Sequence, residues 1–108
     1  MRLTADIWVS AYLTRLRLLG IPAFVVARGD STAGAVLIKL NTLDGQASCY
    51  QRSFDLMTGE RKWVVLTEGD EAAVDSSISK QRGFDPDLWV IEVEDWQGRH
   101  LLDEPGLE

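Results

Sequence analysis

Four short β-rich runs follow one another between residues 23 and 67, and the breaks between them are too short to hold a crossover. The runs are Ala23–Arg28, Ala35–Thr42, Ala47–Phe54 and Arg61–Thr67, each rich in β-branched or aromatic residues. The breaks read GDSTAG, LDGQ and DLMTGE. A chain that reverses within so few residues pairs neighbouring strands antiparallel, so the runs predict a four-stranded meander. The Asp44-Gly45 pair strengthens the middle turn, because hairpin turns need positive φ and these residue types tolerate it.

Helical patterns flank the runs. In TADIWVSAYLTRLRLLG, Trp8, Val9, Tyr12, Leu13, Leu16 and Leu19 share one broad face. Thr4 takes the N-cap position, Asp6 suits the helix dipole, Gly20 ends the helix and Pro22 prevents its continuation. Ile7, Ala11 and Leu18 form a second apolar strip outside that face and are candidate interface residues. In EGDEAAVDSSISKQRGF, Asp70 starts a second helix and Gly83 stops it; its sparse apolar residues suit a helix lying on a sheet.

DPDLWVIEVEDW then gives a fifth strand from Leu88 to about Asp95. The unbroken apolar run Leu88-Trp89-Val90-Ile91 marks a strand covered on both faces, and the second helix supplies the crossover that a parallel pairing needs. QGRHLL reads as a short returning strand and residues 103–108 as a loose tail. The expected fold is α+β in one domain over residues 1–108: N-terminal helix, four-stranded antiparallel meander, second helix, fifth strand, with both helices mainly on one face.

Charge and cysteine content narrow the function classes. Residues 1–84 carry ten Lys/Arg against nine Asp/Glu, whereas residues 85–108 carry one Arg against eight acids. The net charge of −6 therefore sits in the last quarter, and an acidic surface argues against nucleic acid as partner. The run IWVSAYL is too short to span a bilayer, is flanked by charges, and precedes no small-residue cleavage site. The expectation is a cytoplasmic protein without a membrane partner. One cysteine, Cys49, and one histidine, His100, cannot close a tetrahedral transition-metal site, so no cofactor is expected. Cys49 reads as a packed strand residue, His100 as a surface residue, and Trp96 as the exposed one of four tryptophans.

The loop GDSTAG attracts three functional readings. Its Gly29 and Gly34 have phosphate-loop spacing, but no Lys-Ser/Thr follows, and the loop leads into a strand rather than a helix. Ser31 resembles a hydrolase nucleophile, yet the strand-turn-helix of a nucleophile elbow is missing. Arg28-Gly29-Asp30 is a frequent tripeptide. A turn accounts for every letter, and such a turn can still touch a ligand through Arg28, Asp30, Ser31 and Thr32. In the acidic stretch 85–95, Asp87, Glu92 and Glu94 are candidate ligands for a divalent cation, since Glu92 and Glu94 project to one strand face.

ARGDSTAGAVLIKL together with FDPDLWVIEVEDWQGR resembles a family of short, single-domain, chiefly alphaproteobacterial proteins classed as a domain of unknown function. The resemblance covers nearly the whole chain, including the first helix and the Trp63 strand. It implies a compact α/β domain in the bacterial cytoplasm and brings no catalytic residue with it. From the residues, the expected function is a non-catalytic protein-interaction or regulatory module, with a protein partner or a second copy of itself. The alternative is a small hydrolase or divalent-metal enzyme that uses the acidic stretch 85–95 or the Gly29–Gly34 loop. The two readings differ in whether that loop and that stretch meet in one concave pocket.

Overall fold

The computed structural model describes residues 3–108. In chain order, the elements are α1 (Ala5–Leu18), β1 (Ala23–Ala27), β2 (Val36–Asn41), β3 (Gln46–Phe54), β4 (Arg61–Asp70), α2 (Glu71–Phe84) and β5 (Trp89–Glu94). The fold is α+β, with two helices and one five-stranded sheet in the order β1-β5-β2-β3-β4.

The sheet is mixed, which corrects the expected meander. β2, β3 and β4 do form antiparallel neighbours, but β5 inserts between β1 and β2. It runs parallel to β2 and antiparallel to β1. The physical reason is the Leu88–Ile91 run, since a strand apolar on both faces is stable only inside the sheet. The GDSTAG break therefore closes no hairpin. It carries the chain across the width of β5, a span of about 10 Å for two inter-strand spacings. At the β2–β3 turn, positive φ falls on Leu43 and Gly45 rather than on Asp44.

The helices lie on opposite faces, not on one. On one side, Trp8, Tyr12 and Leu16 of α1 pack on Ile38, Leu40, Trp89 and Ile91. On the other, Val74 and Ile78 of α2 pack on Leu37, Cys49 and Val90. Alternation along β2 and β5 sends successive apolar residues to opposite faces, and both faces then need a cover. α1 buries most of the expected face, but Leu19 is exposed, because the helix ends at Leu18 and the chain reverses at Gly20 (φ +72°). α2 runs through Gly83 and ends at Phe84.

The C-terminal segment differs from both expectations made for it. QGRHLL forms turns rather than a strand, with Leu101 at φ +62°. The last residues are fastened rather than loose. Leu107 is 1% exposed, its carbonyl accepts from Trp63 Nε1 (2.7 Å), and Pro105 O accepts from Arg15 (2.9 Å). Together with Leu101 and Leu102, Leu107 completes the core beneath α1.

Candidate functional site

The backbone of the loop Gly29–Gly34 is built into the fold, while Arg28, Asp30, Ser31 and Thr32 remain exposed. Thr4 sits at the N-cap of α1, but its hydroxyl donates to Asp6 rather than capping the helix. The first helical amides go instead to the loop: Ala5 N–H donates to Thr32 O (3.1 Å) and Asp6 N–H to Ser31 O (3.0 Å). These bonds satisfy donors that a helix start otherwise leaves open. Asp30 accepts from the amides of Thr32 and Ala33 through its carboxylate, and its carbonyl accepts from Trp89 Nε1 (2.8 Å). Arg28 stacks over the Trp89 ring at 5.0 Å. Both glycines are needed for close approach. A Cβ at Gly34 would lie 2.6 Å from Asp87 O, and one at Gly29 would collide with the same carbonyl and with Trp89.

The structure thus brings the loop to the start of the acidic stretch, where Ala33 and Gly34 share a cleft of about 380 Å³ with Asp85, but not to Glu92. Asp30 N–H donates to Asp87 O (2.9 Å). Glu92 lies on the α2 face and lines a different cleft from Thr32. Asp87 precedes β5, is exposed, and donates its amide to Asp85. Glu94 shares the strand face of Glu92 but is opposite Asn41 in register. Among the described residues, no three His, Cys, Asp or Glu side chains are grouped to hold a metal ion.

What the sequence reading missed is Lys39. This lysine is buried in the middle of β2, and its Nζ donates to Asp75 (2.6 Å), Glu71 (2.8 Å) and Glu92 (3.2 Å). Asn41, next on the same face, donates to Glu71 and Glu92. Burial pulls the Lys39 pKa down, but the hydrogen bonds to the three carboxylates outweigh it and hold the group above the ordinary lysine value. Lys39 is therefore a fixed cation and not a proton acceptor. The available signal was a Lys and an Asn two residues apart in an otherwise apolar strand, with acids at 71 and 75 at helical spacing.

Beside this cluster runs a groove of about 420 Å³ between α2 and the β1–β5 end of the sheet. Val26, Ala27 and Val90 floor it, and Ile78, Ser79 and Arg82 wall it. Arg82 ties the wall to the sheet by donating to Leu88 O (2.7 Å) and Arg28 O (3.2 Å). α2 lies closest to β3 and β4 and reaches β2 and β5 through Val74 and Ile78, so the β1 end of the sheet has the least cover. Phe24 and Val26 are 45% and 54% exposed there.

β1 is also an edge strand. Glu94 N–H donates to Pro22 O, and the register pairs Ala23 with Val93, Phe24 with Glu92 and Val25 with Ile91. Antiparallel pairs alternate between bonded and non-bonded, so Phe24 turns its N–H and C=O toward β5. Ala23 and Val25 turn theirs outward. β1 carries no charged residue, whereas the other edge, β4, carries Arg61, Lys62, Glu68 and Asp70. Charge is a usual protection of an edge, and β1 lacks it, although the register shift between Val25 and Ala27 interrupts its far end.

A larger cleft, of about 950 Å³, lies where the capping loop, α1 and the β3–β4 hairpin meet. Trp8, Thr32, Arg52 and Arg61 line it, with Glu60 and Glu108 opposing their charge. The Arg52 guanidinium is 4.6 Å from the Trp8 ring and 4.7 Å from that of Trp63, so these aromatic faces already engage it. Elsewhere, Cys49 is fully buried and burial pushes its thiol up to about 12. His100 is half-buried rather than on the surface, its ring 4.7 Å from that of Tyr50, and burial lowers its pKa. Trp96 is exposed, as expected, and so is the α1 strip Ile7, Ala11 and Leu18.

The family model of a protein of unknown function, DUF1491, matches residues 3–103. The chain belongs to the DUF1491 family. A crystal structure of a DUF1491 protein from Caulobacter crescentus CB15 is 39% identical, covers 96% of this chain and 98% of its own, and superposes with a TM-score of 0.86. An NMR structure of a DUF1491 protein from the same organism is 39% identical over 97% of this chain and 96% of that one, with a TM-score of 0.83. The solution structure of Atu0922 from A. tumefaciens is 27% identical, covers 87% of this chain and 86% of its own, and gives 0.74. No curated protein matches the sequence. These DUF1491 relatives bring no assigned function, and their alphaproteobacterial origin agrees with the resemblance read from the two motifs. Among the described residues, no helix is long and apolar enough to cross a membrane.

Proposed function

We propose that the chain is a non-catalytic protein-interaction module whose recognition surface is the β1 edge with its adjoining groove. The observation that carries this is Ala23–Ala27: an uncharged edge strand with outward backbone groups and exposed Phe24 and Val26, beside a groove whose floor joins Val26, Ala27 and Val90 to Lys39 and Glu92. An extended segment added to such an edge gains main-chain hydrogen bonds, and alternate side chains reach the groove. Three side chains of reactive type support the same reading. Lys39 is held by three carboxylates, Asp30 by loop amides, and Cys49 is buried.

Against the alternative, a small hydrolase or divalent-metal enzyme, stands the separation of the loop from Glu92 and the occupation of Glu92 by Lys39. The strip Ile7, Ala11 and Leu18 offers a second, smaller contact surface on α1. The test compares proteins cross-linked to the wild-type chain and to Val26→Lys in an alphaproteobacterial extract. The proposal expects wild-type partners to be lost with Val26→Lys and kept with Leu18→Glu. Equal recovery by wild type and Val26→Lys contradicts it.

A further inference from the structure

We infer that the β1 edge pairs with β1 of a second copy of this chain, forming a two-fold dimer with a continuous ten-stranded sheet. The inference rests on the interaction reading above and names its occupant. The outward groups decide the register. Ala23 and Val25 each present an N–H and a C=O to solvent, with one residue between them. An antiparallel copy centred on Phe24 places Ala23 opposite the partner's Val25 and Val25 opposite the partner's Ala23. Both pairs then exchange N–H and C=O, and all the outward groups of these residues are satisfied by one symmetric arrangement.

The same register sets Phe24 directly against the partner's Phe24 in a non-hydrogen-bonded pair, where side chains approach most closely. Phe24 lies on the face of Glu92, hence on the groove side, and its ring is now 45% exposed. The groove has α2 as one wall and none along the outer edge of β1. The partner's strand supplies that missing side. Charge selects this edge for self-association. Two chains of net charge −6 repel, and β1 is the edge at which they meet without opposing like charges, since it has no ionisable residue. A five-residue strand pair buries less than a standard stable interface, so the dimer is concentration-dependent.

Sedimentation velocity over a concentration series tests this, with the wild type, Phe24→Lys, Phe24→Glu and an equimolar mixture of the two variants. The wild type is expected to shift from monomer to dimer. Each variant alone is expected to remain monomeric, with a circular-dichroism melt showing that it is folded. The mixture is expected to recover the dimer, because the opposite charges then face each other across the axis. A wild type that stays monomeric throughout overturns the self-pairing and leaves the edge to a different protein, which the extract experiment reads separately. A dimer that survives in Phe24→Lys alone overturns it too, and assigns the contact to another surface such as Ile7 and Leu18.

Discussion

The two faces of the sheet are built from the same two central strands and end up chemically unlike. Beneath α1, Val36, Ile38, Leu40, Trp89, Ile91 and Val93 meet an apolar helix and the C-terminal segment. Three polar side-chain atoms on that side are satisfied by backbone, Trp89 Nε1 by Asp30 O, Trp63 Nε1 by Leu107 O and the Tyr12 hydroxyl by His100 O, whereas the buried Trp8 Nε1 has no hydrogen-bond partner among the described residues. Beneath α2, the intervening residues are Leu37, Lys39 and Asn41 of β2, with Val90 and Glu92 of β5. Lys39, Asn41 and Glu92 put an ion cluster on that face, and its β1 end is open. The first face holds the fold together, while the second spends part of its area on charges that a hydrophobic set of equal volume could replace without loss. The proposed partner surface is the open edge beside this partly polar face.

If the faces differ in this way, substitutions should rank accordingly. Trp89→Ala on the α1 face removes a fully buried ring and the anchor of the capping loop, and is expected to cost about 3–5 kcal/mol in chemical denaturation. A smaller loss would mean that the face is less tightly packed than described. Gly29→Ala forces a methyl into Asp87 O and Trp89 and is expected to destabilise by about 1–3 kcal/mol through overpacking. If stability were kept and ligand binding lost, the loop would be a site after all.

Lys39→Met on the α2 face leaves Glu71, Asp75 and Glu92 without their cation. Water reaches the first two, so the loss should be about 1–3 kcal/mol, below that for Trp89→Ala. A loss as large as that of the tryptophan would erase the contrast between the faces. The pH dependence follows the same division. His100 has a lowered folded pKa, so the unfolded chain binds its proton first. Its contribution is present above the ordinary value of 6.5 and is lost as pH falls through the lowered value, with Asp103 opposing the shift. Lys39 behaves oppositely. Its contribution is present below 10.5 and is lost as pH rises through its raised value. Melts of wild type and His100→Asn near pH 6.5 should diverge, with the wild type more sensitive to acid. The smallest effect is expected from Leu18→Glu, at 80% exposure within about 0.5 kcal/mol of wild type.

The elements were legible in the sequence because each has local punctuation: Gly20 and Pro22 after α1, Asp44-Gly45 between β2 and β3, Asp70 before α2. Their arrangement was not. Nothing local tells β1 and β2 that a strand from the far end of the chain will separate them. The apolar run Leu88–Ile91 announces a covered strand without saying which neighbours it takes. The helix placement failed for the same reason, since α1 and α2 each look complete when read alone. Lys39 was invisible because its partners lie 32, 36 and 53 residues away, and a lone lysine in a strand ordinarily points to water. The role of the GDSTAG loop depended on contacts with α1 and Asp87 that only the fold supplies.

The central claim is that the outer edge of β1 is the surface this protein keeps for association. Amide hydrogen exchange read residue by residue by NMR at low and high protein concentration tests it most directly. The account predicts that the Ala23 and Val25 amides exchange fast when dilute and slow markedly when concentrated, while the Phe24 amide, already bonded to β5, is unchanged. Ala23 and Val25 rates that stay fast at every concentration, or that slow no more than those of Ile7 and Leu18, would contradict it.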